Sequence, residues 1–312
     1  MQAKILILLL SLSLASPAAR AQHLPPAHSF GVTIAGHGPP MILIPGLNSP
    51  GALMDTIVDH FKDRYKCYVI TLAGFAGQPP SPAGDNLLTG QKNEIIQYIR
   101  SQHLDKPVLT GFSFGGTLAL WIAISAPHLL GPVIDIDGLP FENAFFDPNV
   151  DKDSLISTKD AIRYRLMHWD STMWQKLYDN RNSPEGLSEG RDYLQKLVSD
   201  SARIDLLLAW DQATNLRSSL LMQLDMDTLD LRDRLPAIAT PMLVLGSWKG
   251  WDDSTPRDSI ELLYRQQFKR AKKCTILFSG QGKHFLMWED PQWLLDKMSA
   301  FLAGTPPRLT SP

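Results

Sequence analysis

One short stretch of the chain has the residue types and spacing for nucleophilic chemistry: Gly-Phe-Ser-Phe-Gly at 111–115. An apolar run, 107–110, precedes it, and an alanine-containing apolar segment, 117–126, follows it. This order predicts a strand, a tight turn and a helix, with Ser113 at the apex of the turn. Glycines two residues to either side suit such a turn because side chains there would meet the helix or the strand. The helix N-terminus would favour negative charge developing beside the serine.

The motif alone does not establish an activity, because an ordinary glycine-rich turn between a strand and a helix would look the same. A serine hydroxyl is also unreactive at neutral pH unless a histidine takes its proton, and the chain has eight histidines. Other chemistries find less support. The glycine-rich stretch lacks the lysine of a phosphate-binding loop, and no histidine or carboxylate pairs stand at metal-ligand spacing. We therefore predict neither a metal nor a cofactor.

The elements around this motif alternate between buried strands and amphipathic helices. Continuous apolar runs are typical of parallel strands that are buried on both faces, and their alternation with helices predicts an α/β fold with right-handed crossovers. Strands are predicted at 29–35, 41–44, 67–72, 107–110, 132–137, 241–246 and 274–278. Helices are predicted at 52–62, 87–103, 117–126, 259–268 and 291–302.

A long helical stretch interrupts this alternation between the strand that ends at Asp137 and the strand at 241–246. It contains no convincing strand and is rich in aromatic residues. We expect these aromatic side chains to line an apolar pocket over Ser113, although a helical insertion also needs a core of its own. The residues concerned are Phe141, Phe145, Phe146, Tyr164, Trp169, Trp174, Tyr178 and Trp210.

Composition and the chain ends limit the possible classes of protein. The 312 residues carry a formal net charge of −2 without a basic run, which argues against nucleic acid as a partner. Residues 1–21 are typical of a secretory signal, with Lys4 before an apolar run and Ala-Arg-Ala at 19–21 before the cleavage point. The apolar run is too short to favour the alternative of a membrane anchor. We predict an exported protein, periplasmic or secreted, with no membrane span after cleavage and a disordered tail at 305–312.

Two cysteines, Cys67 and Cys274, make a disulfide conceivable in an exported chain. Each of them begins a predicted strand, and in the fold that the resemblance described below implies, these strands lie on opposite sides of the strand that leads to Ser113. A disulfide would need Cα atoms within about 7 Å of each other. We therefore predict two free thiols.

Taken together, these landmarks resemble the α/β-hydrolase superfamily in kind and in order, from about residue 30 to residue 302. They include the strand that ends in Ile-Pro-Gly at 44–46, the serine turn, the strand that ends at Asp137, the helical insertion, and Gly-Lys-His-Phe at 282–285. The resemblance implies a mostly parallel sheet flanked by helices, with a helical cap inserted after Asp137. It divides the chain into a core, 22–138 and 236–304, and a cap, 139–235.

The resemblance also assigns roles to individual residues. Ser113 is the nucleophile, and His284, in the loop after the last strand, is its base. The oxyanion hole would consist of the backbone N–H groups of Phe114 and Leu47, since two preorganised donors are required there.

The acid is where the sequence departs from the usual pattern of the superfamily. The common position, a few residues past Gly246, holds Lys249, which cannot serve. The other known position, at the end of the preceding strand, holds Asp137, which we favour. Asp252 and then Asp253 remain as alternatives.

The resemblance implies a cofactor-free serine hydrolase that acts on a small acyl substrate, with a carboxylic ester as the expected bond. An aminopeptidase on the same fold is an alternative within the class. A non-catalytic protein that binds a ligand in the cap pocket is the alternative from another class.

Overall fold

A seven-stranded sheet forms the centre of the structure, a computed structural model that describes residues 28–82, 86–249 and 255–304. The strand order is β1-β3-β2-β4-β5-β6-β7. β1 is antiparallel to β3, and all other neighbours are parallel, which confirms the predicted mostly parallel sheet. The strands are β1 (Gly31–Ala35), β2 (Pro40–Ile44), β3 (Lys66–Thr71), β4 (Val108–Phe112), β5 (Val133–Ile136), β6 (Met242–Gly246) and β7 (Cys274–Phe278).

Helices cover both faces of this sheet. The apolar runs of β2, β4, β5 and β6 are buried almost throughout, because each strand packs against helices above and below. One set of core residues packs on each face of the sheet. The helices of this layer are α1 (Asp55–Phe61), α2 (Leu87–Ser101), α3 (Phe114–Ser125), α10 (Arg257–Gln267), α11 (Leu286–Glu289) and α12 (Pro291–Leu302).

Between β5 and β6 the chain forms six further α-helices and a 3-10 helix at Arg232–Ala237, at the position of the predicted insertion. The α-helices are α4 (Asn143–Phe146), α5 (Lys152–Met167), α6 (Ser171–Arg181), α7 (Pro184–Leu197), α8 (Ser201–Ala213) and α9 (Leu216–Asp227). The side chain of a preceding Asp, Ser or Asn accepts a backbone N–H at the start of each of α5 to α9, which explains where these helices begin. The exact division into core and cap stays a prediction.

Three ion pairs hold the first long helix of the insertion against α9 and the residues after it. They join Lys152 to Asp230, Lys159 to Asp227 and Arg163 to Asp225. The three basic residues recur at spacings that place them along one side of α5. The insertion is therefore fixed near the point where the chain returns to the sheet.

The two cysteines lie where the sequence predicts them. Cys67 is on β3 and Cys274 on β7, on opposite sides of β4, and both are free thiols, which confirms that prediction. Burial raises the pKa of Cys67 to about 11 and that of Cys274 to about 12. Both groups are therefore poor nucleophiles at neutral pH.

Other predictions fall on segments that the structure does not describe. The predicted signal peptide, 1–21, and the predicted tail, 305–312, lie outside the described residues. Within 28–82, 86–249 and 255–304, no helix combines the length and the apolar character that crossing a bilayer requires.

Candidate active site

Ser113 occupies the turn between β4 and α3, in a backbone conformation that few non-glycine residues adopt. Its φ is +53°, a region where an L side chain is strained. Three backbone hydrogen bonds stabilise this conformation. The Ser113 N–H donates to the carbonyl of Ile136 on β5 at 2.8 Å, and the N–H groups of Gly116 and Thr117 donate to the Ser113 carbonyl. The predicted strand, turn and helix are all present.

The glycines beside Ser113 are required by close backbone contacts. A Cβ on Gly111 would lie 2.0 Å from the carbonyl oxygen of Gly115. A Cβ on Gly115 would lie 2.4 Å from the carbonyl oxygens of both Ile44 and Pro45, at the end of β2. The turn can therefore approach the end of the neighbouring strand only if these positions lack side chains.

His284 lies in the loop between β7 and α11, with its ring against the serine turn. Its Nε2 is 2.9 Å from the Ser113 Oγ. The residue is only 8% exposed, and its ring contacts that of Phe112, with 4.9 Å between centroids. The loop is shaped by Ser279, whose Oγ accepts from the N–H of Gly282 at 2.7 Å and donates to Asp290 at 2.6 Å.

Asp137 follows β5 directly and supports the other side of the His284 ring. Its Oδ2 lies 2.6 Å from His284 Nδ1 and accepts the Ser247 hydroxyl at 2.6 Å. Its Oδ1 accepts the Ser247 N–H at 2.7 Å and the Tyr264 hydroxyl at 2.5 Å. The carboxylate is 1% exposed, and the four hydrogen bonds that it accepts compensate the cost of burying its charge.

The structure therefore brings together Ser113, His284 and Asp137, and the favoured position for the acid is in contact with the histidine. The alternatives Asp252 and Asp253 lie outside the described residues. Sequence reasoning missed two residues that contact the acid, Ser247 and Tyr264. Ser247 directly follows Gly246, which the sequence did single out, whereas nothing in the sequence marks Tyr264 beyond its place on the apolar side of α10.

Tyr264 is fully buried. Burial, and then the negative charge of Asp137, raise the pKa of its phenol well above the usual value. The hydroxyl consequently stays protonated at neutral pH and donates to the carboxylate.

The residues predicted to supply the oxyanion hole also line the site. Phe114 is the first residue of α3, where an N–H group has no partner within its own helix. Leu47 belongs to the loop after β2, and a Cβ on its neighbour Gly46 would lie 3.5 Å from the Cβ of Ser113. Among the hydrogen bonds of the described residues, none has the N–H of Phe114 or Leu47 as donor. Both amides are thus available beside the serine.

A cavity of about 600 Å³ opens over these groups, between the carboxyl edge of the sheet and the helical insertion. Its insertion side is lined mainly by aliphatic side chains, including Leu194, Leu197, Leu207, Leu208 and Met226.

The prediction that the aromatic residues of the insertion line this cavity is wrong for most of them. Of the eight, all within the described part of the chain, only Phe146 contributes to the wall. Phe145 lies against Tyr264, and Trp169 contacts Trp174 edge to face. These side chains serve packing within the insertion and contact with the sheet layer, which the sequence analysis had left open as an alternative, while Tyr164 and Tyr178 are exposed.

A second carboxylate, Asp135, lies on β5 two residues before Asp137 and does not contact His284. It is fully buried, its Oδ1 accepts the Gly138 N–H at 3.0 Å, and its Oδ2 has no hydrogen-bond partner among the described residues. Burial raises its pKa to about 8. Asp135 is therefore largely protonated at neutral pH.

Comparisons with known proteins agree with this architecture. The pimeloyl-(acyl-carrier protein) methyl ester esterase of Vibrio atlanticus is 25% identical over 218 residues, or 68% of this chain and 76% of that protein. The protein of the same name from Aeromonas hydrophila is 29% identical over 113 residues, and this match spans 36% of the chain and only 42% of that relative. Among solved structures, MenH from S. aureus has a TM-score of 0.65 at 16% identity and covers 89% of this chain and 99% of its own.

A family model described as "Alpha/beta hydrolase family" matches residues 41–297. This range runs from β2 into α12 and includes the serine turn, the helical insertion and the His284 loop. Because the match covers most of the chain, the chain belongs to the alpha/beta hydrolase family, as its motifs predicted.

Proposed function

We propose that this protein is a serine hydrolase that cleaves a carboxylic ester of a small, partly apolar substrate through an acyl-enzyme. The observation that carries the proposal is the continuous chain of hydrogen bonds from Ser113 through His284 to Asp137. Nucleophile, base and a third group that orients the base stand in the geometry that activates a serine.

In the first half of the proposed reaction, the Ser113 Oγ attacks the carbonyl carbon of the ester. The ionised carboxylate of Asp137 can only accept a hydrogen bond, so the imidazole carries its proton on Nδ1 and leaves Nε2 free. Nε2 of His284 then takes the serine proton as the C–O bond forms. The negative charge that develops on the carbonyl oxygen is stabilised by the N–H groups of Phe114 and Leu47.

In the second half, the tetrahedral intermediate collapses and the bond to the alcohol breaks. His284 gives its proton from Nε2 to the departing alkoxide, which leaves as the alcohol. A water molecule then attacks the acyl group on Ser113 while His284 accepts its proton, and a second collapse releases the carboxylic acid and restores the serine hydroxyl.

Two observations support an ester as the bond and an acyl chain as the substrate. The curated relatives are named as methyl ester esterases. The aliphatic wall of the cavity, formed by residues such as Leu207 and Met226, suits a partly apolar group.

A fluorophosphonate probe, which reacts only with activated serines, tests this proposal against the alternative of a non-catalytic binding protein. We expect stoichiometric labelling of Ser113, and no labelling in Ser113→Ala or His284→Ala. Circular dichroism should show that both variants are folded. Folded wild-type protein that resists the probe would refute the hydrolase and favour the binding protein. A series of p-nitrophenyl esters of graded acyl length would then define the preferred chain.

We also infer, from residues 1–21, that the protein is exported. N-terminal sequencing of protein recovered from the periplasmic or culture fraction should begin at Gln22. Recovery of the uncleaved chain from the cytoplasm would contradict this inference.

A further inference from the structure

An unpartnered carboxylate, that of Glu142, faces the cavity above the proposed nucleophile. Glu142 lies between β5 and α4, is half-buried and forms part of the cavity wall. Its side chain makes no hydrogen bond or ion pair with any residue in the described part of the chain. Burial, together with repulsion from Asp227, raises its pKa, while His284 and Lys159 act in the opposite direction. A carboxylate removed from water in this way lacks the partner that buried charges normally have.

Lys159, one of the two groups that lower the pKa of Glu142, is already paired with another residue. Lys159 forms its ion pair with Oδ2 of Asp227. The other oxygen of Asp227 accepts from Nε2 of Gln223 at 2.6 Å. Because the amide nitrogen of Gln223 must face Asp227, its Oε1 faces away, and Gln223 also lines the cavity. Lys159 and Gln223 therefore both direct their nitrogen atoms to Asp227 and not to Glu142.

Two hydroxyl groups around the same cavity are engaged within the protein. The Thr117 hydroxyl donates to the carbonyl of Leu139 at 2.8 Å, and the Ser49 hydroxyl donates to that of Leu47 at 3.1 Å. Tyr193 and the exposed Lys196 of α7 share the wall, but no hydrogen bond or ion pair joins either of them to Glu142 among those of the described residues. A ligand that places an ammonium beside Glu142 would supply the partner that none of these groups provides.

We propose that Glu142 is a specificity-determining residue that selects ester substrates carrying an ammonium group at the end of an apolar chain. This inference depends on the proposed function, since it names the substrate class of the same site. The ammonium would supply the missing partner of Glu142, while its methylene chain would lie along the aliphatic wall formed by Leu194, Leu207 and Met226. The ester carbonyl would remain at Ser113.

Two esters of equal shape test the proposal: methyl ε-aminocaproate, which ends in an ammonium, and methyl heptanoate, which ends in a methyl group. Hydrolysis is followed in a pH-stat at neutral pH. We expect the wild type to cleave the ammonium ester with a kcat/KM about tenfold or more above that of the neutral ester, as a charge-assisted hydrogen bond would give. Glu142→Gln should abolish or reverse that preference.

Glu189→Gln is the matched control, because it removes the same charge from an exposed position on α7 that does not line the cavity. It should keep the wild-type preference. A wild type that prefers methyl heptanoate, or a preference for the ammonium ester that survives in Glu142→Gln, would overturn the assignment of Glu142 and leave the proposed hydrolase intact.

A second measurement does not depend on turnover of either ester. Hexylammonium should slow fluorophosphonate labelling of Ser113 more than hexanol does, and Glu142→Gln should remove this difference. Equal protection by both compounds would overturn the inference even if neither ester is cleaved. Complete failure of Ser113 to label would instead refute the proposed function, and the inference with it.

Discussion

Replacing the proposed acid by its amide, Asp137→Asn, tests how the tertiary structure controls the protonation of His284. The new NH₂ group cannot take the place of Oδ1, because there it would face the Ser247 backbone N–H, which can only donate. It can take the place of Oδ2, where it faces the Ser247 hydroxyl, which can accept, and His284 Nδ1. The structure thus directs the amide nitrogen toward the imidazole.

The consequence is a change of tautomer rather than a loss of shape. Facing a donor, Nδ1 must act as an acceptor, so the imidazole proton moves to Nε2, and Nε2 can no longer take the proton of Ser113. A wrong tautomer of this kind costs about 10⁴-fold in turnover, which corresponds to about 5 kcal/mol of transition-state stabilisation. KM for a p-nitrophenyl ester should change little, since the cavity wall is untouched.

The assay is steady-state hydrolysis of a p-nitrophenyl ester, with thermal unfolding measured in parallel. Asp135→Asn is the control, because it converts a second buried carboxylate of β5 that does not contact His284; it should keep wild-type turnover. An Asp137→Asn turnover within about tenfold of wild type would refute the tautomer argument and would pass the role of the acid to Asp252 or Asp253.

Three further predictions concern the surroundings of the site. Asp135→Asn should remove a pH dependence of stability. Because burial raises the pKa of the Asp135 carboxyl in the folded state to about 8 from an ordinary 3.8, the free energy of unfolding of the wild type falls by a few kcal/mol as pH rises between those values. Urea unfolding at several pH values should therefore show a flatter profile for the variant. Tyr264→Phe removes one hydrogen-bond donor from the Asp137 carboxylate, so kcat should fall by about tenfold or somewhat more, while the fluorophosphonate probe should still label Ser113. An unchanged kcat would show that the hydroxyl does not position the carboxylate. Gly115→Ala should lower the midpoint of thermal unfolding markedly and abolish fluorophosphonate labelling, because the new Cβ would lie 2.4 Å from two backbone carbonyl oxygens. Gly280→Ala is the control: nothing lies within 4 Å of its Cβ, so the midpoint and the labelling should both stay unchanged.

The sequence by itself determined those features that depend on neighbours along the chain. The turn at Ser113 could be predicted because its glycines are required by local steric contacts within one strand, turn and helix. The order of buried strands and amphipathic helices could be predicted because burial on one or both faces of an element sets the spacing of its apolar residues along the sequence. The position of Cys67 and Cys274 on opposite sides of β4 followed from the resemblance to the α/β-hydrolase fold, which implies the order of the strands in the sheet.

Only the tertiary structure shows which distant residues meet at the site. Asp137, the favoured candidate for the acid, has hydrogen bonds to Ser247, Tyr264 and His284, which are 110, 127 and 147 residues away, while Asp252 and Asp253 lie outside the described residues. No local pattern encodes a contact of that range. The prediction that the aromatic residues of the insertion line the cavity was wrong for most of them for a related reason. A hydrophobic residue type favours burial, but the packing of the helices onto the sheet decides whether the side chain lies in a cavity wall or in a core.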